Sequence, residues 1–210
     1  MRFLILIPIW LSLSGCGGVS QLDLSASGRD RWQRPDDVVE VLALRPGESV
    51  ADLGSGDGYF LPHLSRAVGP EGRVYAVEVE ADLVEQLTAR VDEESLENVE
   101  VILGTYDDPQ LPDRELDTVL IVNTYHHIEE RPAYFARLAT DLSDRGRVVV
   151  IEPNEELSGV LGLFVEEGHA SVQADIEAEM RQAGYRVVES TDQLPIQIFV
   201  TFEREPPAVH

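Results

Sequence analysis

The stretch Val50-Ala51-Asp52-Leu53-Gly54-Ser55-Gly56-Asp57-Gly58-Tyr59-Phe60 decides how this chain is read. Ser49 to Leu53 is a short apolar segment that predicts a strand. Phe60, Leu64 and Val68 then recur at four-residue spacing and predict a helix. Pro62 falls early enough in that helix to be tolerated. Three glycines in five residues between a strand and a helix let the chain turn sharply and let a ligand reach the backbone. In an open parallel sheet this carboxyl edge is where ligands bind.

Spacing and charge narrow the ligand. The dinucleotide fingerprint is G-x-G-x-x-G, whereas glycines 54, 56 and 58 make G-x-G-x-G. A pyrophosphate is held by amides at a helix N-terminus, yet this loop carries Asp52 and Asp57, which repel it. A cationic ligand without phosphate suits the loop better. S-adenosylmethionine, with an ammonium, a sulfonium and one carboxylate, is such a ligand.

Outward from the loop, strand and helix patterns alternate. Pro35-Asp36-Asp37 opens a helix, with proline in its first turn and acids at the positive end of its dipole. Strands are predicted over Val74–Val79, Val99–Leu103, Asp117–Asn123 and Arg147–Glu152. The continuous run Val119-Leu120-Ile121-Val122 marks a strand covered on both faces. Helices are predicted from Leu83, Leu87 and Val91, from Tyr134, Leu138 and Leu142, and from Val172, Ile176 and Met180, the last closed by Gly184. Tyr185–Glu189 and Ile196–Phe202 are the last strands, and their link is too short for a parallel crossover, so they pair antiparallel. The sum is an α/β fold with a mostly parallel sheet and helices on both faces.

The loop and the order of elements resemble class I S-adenosylmethionine-dependent methyltransferases over about Arg31 to Arg204. The resemblance implies a Rossmann-like sheet of seven strands with an antiparallel last strand. It implies that Asp52, Gly54, Ser55, Gly56 and Gly58 hold the methionine end of the cofactor. Glu78, at the end of the second strand, takes the position whose carboxylate accepts both ribose hydroxyls, with Glu80 as its rival. Gly104-Thr105-Tyr106-Asp107-Asp108 is similar to the adenine-binding turn; Asp107 is preferred there, with Asp108 the alternative. Asn123-Thr124-Tyr125-His126-His127 falls between cofactor and acceptor, which makes Asn123 a cofactor contact and His126 the candidate general base. A metal site is not expected, because adjacent histidines point apart and no third ligand accompanies them. Trp32-Gln33 is a further candidate for closing over the cofactor, and Pro153–Ser171, with Phe164, Glu166, Glu167 and His169, for an acceptor wall.

Composition sets the remaining bounds. With 39 acidic against 16 basic residues and a net charge of −23, the surface repels nucleic-acid phosphates and anionic lipids. One cysteine excludes an intrachain disulfide. That cysteine ends a leader: Met1-Arg2, the apolar run Phe3–Leu13, then Leu13-Ser14-Gly15-Cys16. The run is too short to span a membrane and has the charge and small residues of a secretory signal. Its end resembles the bacterial lipobox, in which the cysteine carries the lipid. The expected organisation is a signal and lipobox over residues 1–16, a tether over 17–30, the domain over 31–205 and a tail over 206–210. The expected protein is a monomeric methyltransferase with S-adenosyl-L-methionine as cofactor and a small-molecule acceptor, lipid-anchored at Cys16 in the cell envelope. Cytoplasmic location follows instead if Met1 is not the true start. A non-catalytic lipoprotein on the same fold is the first alternative and an NAD-dependent oxidoreductase the second.

Overall fold

The computed structural model describes residues 29–30, 33–154, 172–191, 194 and 197–206. Its strands are β1 (Ser49–Leu53), β2 (Arg73–Glu78), β3 (Val99–Leu103), β4 (Leu116–Val122), β5 (Leu142–Pro153), β6 (Tyr185–Ser190) and β7 (Gln197–Arg204). Its helices are α1 (Pro35–Leu42), α2 (Leu61–Val68), α3 (Ala81–Glu93), α4 (Arg131–Leu138) and α5 (Gln173–Gln182), and a 3-10 turn over Tyr125–His127 follows β4. Cys16 and the leader, nearly all of the tether, Trp32, the wall residues Phe164, Glu166, Glu167 and His169, and the end of the tail lie outside the described residues. Among the described residues, no helix is long and apolar enough to cross a membrane.

The strands form one seven-stranded sheet in the order β3-β2-β1-β4-β5-β7-β6. β1 to β5 run parallel, and β7 runs antiparallel to both β5 and β6, as the short link requires. β4 shows why the middle strands read as unbroken apolar runs. Val119 and Ile121 enter the apolar cluster that includes Tyr134 and Phe135 of α4 and Ile176 and Met180 of α5; Leu120 enters the opposite one, with Val38 of α1 and Leu61 and Leu64 of α2. All three strand residues are fully buried, which stabilises the fold by roughly 1.5–3 kcal/mol per side chain. β3, at the sheet edge, is only partly covered, and Leu103 is exposed.

One element differs from its expectation. Leu142 continues the four-residue spacing of Tyr134 and Leu138, yet α4 stops at Leu138 and Leu142 opens β5, paired with Leu116. All three side chains still pack in one cluster. Periodicity reports burial, and here a strand meets the same demand as a fourth helical turn.

Strand order also places the ligand. From β1 the chain moves outward to β2 and β3, then returns to β4 on the other side of β1. Loops leaving β1 and β4 therefore diverge and leave a crevice at their carboxyl ends.

Candidate active site

That crevice holds a cavity of about 610 Å³, built from the ends of β1, β2 and β4 and from residues ahead of α1. Its size lies in the range of small-molecule and cofactor sites. Asp52, Gly54, Ser55 and Gly56 form its floor, Glu78 and Glu80 one side, and Asn123, Thr124 and His127 the other.

The glycine loop is shaped by close approach as well as by turning. Gly54, Gly56 and Gly58 all have positive φ, at 77°, 55° and 74°. A methyl group on Gly54 would overlap the Thr124 side chain, so β1 and β4 could not come this close with any other residue there. At Gly56 nothing lies within 4 Å of the same position, so this residue leaves its side of the loop open. Gly58 does a different job. Its Cβ position is 2.9 Å from Leu61 and Leu87, and it does not line the cavity.

Two carboxylates dominate the floor. Asp52 is 3% exposed, and its pKa is raised to about 7, first by burial, with Ser55 partly opposing and Glu78 and Asp57 adding repulsion. Such a group gains from a nearby cation. Glu78 caps β2: its Oε2 accepts from the Gly56 amide at 3.0 Å and its Oε1 from the Val79 amide at 2.7 Å. The same carboxylate therefore ties β2 to the loop and faces the cavity.

The opposite wall is organised by a residue that sequence reasoning missed. Glu152, at the end of β5, is fully buried. Its Oε1 accepts from the Tyr125 amide at 2.7 Å, and its Oε2 lies 2.7 Å from His126 Nδ1. That contact ties the His126 ring to the end of β5. His126 is thus turned toward β5, and His127 is the histidine that lines the cavity, the two rings 4.0 Å apart. Just ahead of them Asn123 adopts φ 52° and lines the cavity with its buried Oδ1 unbonded.

The structure therefore brings together Asp52, Gly54, Ser55, Gly56, Glu78 and Asn123 from the expected set. It sets Gly58, His126 and Asp107 outside the lining; at the adenine-type turn Thr105 and Tyr106 face the cavity, while Asp107 accepts the Thr105 hydroxyl. Glu80, the rival to Glu78, lines the cavity as well and accepts from Tyr106. Gln33 lines the cavity, as do Tyr59 and Phe60 from the end of the glycine stretch, while Arg29 and Tyr134 line it without a motif to announce them. Among the described residues, no three His, Cys, Asp or Glu side chains are grouped to hold a metal.

A methyltransferase domain model matches residues 50–156, half of the chain. The chain belongs to the methyltransferase-domain family. S-adenosyl-L-methionine is the cofactor of this domain, and the residues present fit it: acids answer its cations, Gly56 leaves room beside the backbone, and Asn123 Oδ1 is an acceptor awaiting a donor. An uncharacterized 37.1 kDa protein of a Streptomyces fradiae transposon is 35% identical over 65% of this chain and 39% of its own length. An arsenite methyltransferase of Halobacterium salinarum is 27% identical over 86% of this chain and 52% of its own. The chain thus spans about two fifths to half of these relatives. A crystal structure of a SAM-dependent methyltransferase from Aquifex aeolicus superposes with a TM-score of 0.75 at 23% identity, covering 83% of this chain and 91% of that one, a likeness of fold.

Proposed function

We propose that the whole chain is an S-adenosyl-L-methionine-dependent methyltransferase acting on a small molecule. The observation that carries this reading is the buried Asp52 on the floor of a cavity whose other acids also face inward. S-adenosylmethionine supplies a methyl carbon on a cationic sulfur, already activated for in-line displacement. The protein's part is alignment and exclusion of water. Asp52, Gly54, Ser55 and Gly56 hold the amino-acid end, Glu78 accepts the ribose hydroxyls, and Asn123 Oδ1 accepts from a ligand donor.

A hydroxyl or amine acceptor must lose a proton, and the His126–His127 pair supports that step. In this reading His127 meets the acceptor while Glu152 holds the His126 ring behind it. The wall of acids disfavours an anionic acceptor. Arsenite is acted on by the Halobacterium relative; this chain has a single thiol, Cys16, and offers no thiolate cluster for so soft a centre. We assign the leader, on its lipobox, to lipid attachment at Cys16 and a place in the cell envelope. Mass spectrometry of the native N-terminus tests that assignment: a lipid on Cys16 supports it, and a free Met1 removes it.

Calorimetry with S-adenosylmethionine and with NAD tests the function. Binding of the first and not the second is expected, with loss in Gly56→Val. Transfer of labelled methyl to the small-molecule fraction of a cell extract then separates a catalyst from a binder. A folded chain that ignores S-adenosylmethionine ends the reading.

A further inference from the structure

Charge in the cavity is one-sided. Asp52, Asp57, Glu78 and Glu80 line it, and Arg29 is the one arginine or lysine among its described lining residues. Acids answer the ammonium and sulfonium of the cofactor, but its carboxylate enters the same space and is repelled by every one of them. Loop amides are the usual alternative for an anion. Here four of them are committed: Gly54 and Ser55 donate to Val77, Gly58 donates to Ser55, and Gly56 donates to Glu78.

Arg29 is held ready for that anion. Its guanidinium lies 4.2 Å over the Tyr59 ring, Nε donates to Gln33, and one Nη1 hydrogen goes to Asp57. Tyr59 is itself fastened by its hydroxyl to Asp30. Gln33 is buried and the Arg29 side chain is 24% exposed, so the cation is shielded on one face and open on another. A guanidinium has five N–H groups, of which these bonds use two. The rest form a planar edge suited to a carboxylate fork, and the stacked, hydrogen-bonded stem has already lost the freedom that binding would otherwise cost.

We infer that Arg29 receives the carboxylate of the cofactor's amino-acid end and makes the site select ligands that carry it. This rests on the cofactor reading above. Asp57 stabilises the guanidinium before the cofactor arrives and stands beside the place where the ammonium is needed. The segment ahead of α1 thereby becomes part of the cofactor site, although no glycine motif or strand end lies in it.

The test is titration calorimetry of the full-length chain with two probes, S-adenosylmethionine and decarboxylated S-adenosylmethionine. The second keeps adenosine, sulfonium and ammonium and lacks only the carboxylate. Wild type is expected to prefer the first by about ten- to a hundredfold, the span of a charge-assisted hydrogen-bonded contact. Arg29→Gln is expected to bring the two within about threefold through loss of the first alone, and Arg29→Lys to keep part of the preference. Retained binding of the decarboxylated probe shows that each variant is folded. Equal weakening of both probes in Arg29→Gln, or an intact preference, overturns the inference while leaving the cofactor reading in place. A wild type that binds neither probe overturns both.

Discussion

The two sides of the cleft are built on different terms. On the β1–β2 side, polar groups are few, strongly acidic and turned toward the ligand space, with Asp52 retaining a proton near neutrality for want of a cation. On the β4–β5 side, the same chemical types are turned on each other: Glu152 is spent on Tyr125 and His126, and Glu179 of α5 accepts from Tyr125 and, through two hydrogen bonds, from Arg131 of α4. Carboxylates on the first side face the ligand space, and those on the second hold the wall that presents His127. Counting acids along the chain does not separate the two. Burial and partners do.

The largest effect is expected where that distinction is broken outright. Glu152→Ala leaves the Tyr125 amide and His126 Nδ1 without their buried acceptor, and denaturant unfolding should show a loss of about 3 kcal/mol. Affinity for S-adenosylmethionine, by calorimetry on the folded variant, should change little. A selective loss of affinity instead would mean that Glu152 belongs to the ligand side. Glu78→Ala should do the reverse, weakening S-adenosylmethionine by roughly ten- to a hundredfold through loss of a charged acceptor, with the smaller effect on stability.

Asp52→Asn sharpens the contrast through pH. The unfolded carboxyl ionises near 3.8, while the folded one keeps its proton up to about 7. Between those values the native state binds more protons, so this group makes stability fall as pH rises through that window, and the loss is complete above it. The asparagine variant should lose this slope in thermal unfolding at a series of pH values. In wild type, cofactor affinity should climb toward pH 7 by up to about tenfold per unit, since the cation favours ionised Asp52; Asp52→Asn should flatten that climb. The smallest effect is expected at Asn123, whose φ of 52° suits asparagine or glycine. Asn123→Ala should be less stable than Asn123→Gly by about 1 kcal/mol in the same melts.

Much of this was legible beforehand. The glycine loop and the antiparallel ending of the sheet follow from local spacing, Glu78 was marked by the family resemblance, and six of the eight expected cofactor residues line one cavity. Gly58 was legible as required but not as to purpose: its spacing is that of a ligand loop, while its Cβ position is closed by Leu61 and Leu87. The His126–His127 pair could be located but not oriented, because which ring faces inward depends on Glu152, 26 residues away. Arg29 carried no signal, since nothing in the sequence sets it apart from Arg31 and Arg34 ahead of the same helix until the sheet folds beneath it.

The amino-acid sequence alone determined the alternation of strand and helix and the glycine turn, and it disfavoured a phosphate ligand, because those depend on backbone sterics, side-chain period and charge within a few residues. Tertiary structure decided which acids face the cleft, which histidine lines it and that Arg29 reaches it. Those outcomes depend on contacts between segments far apart in the chain, and burial there sets both the pairing and the protonation of each group.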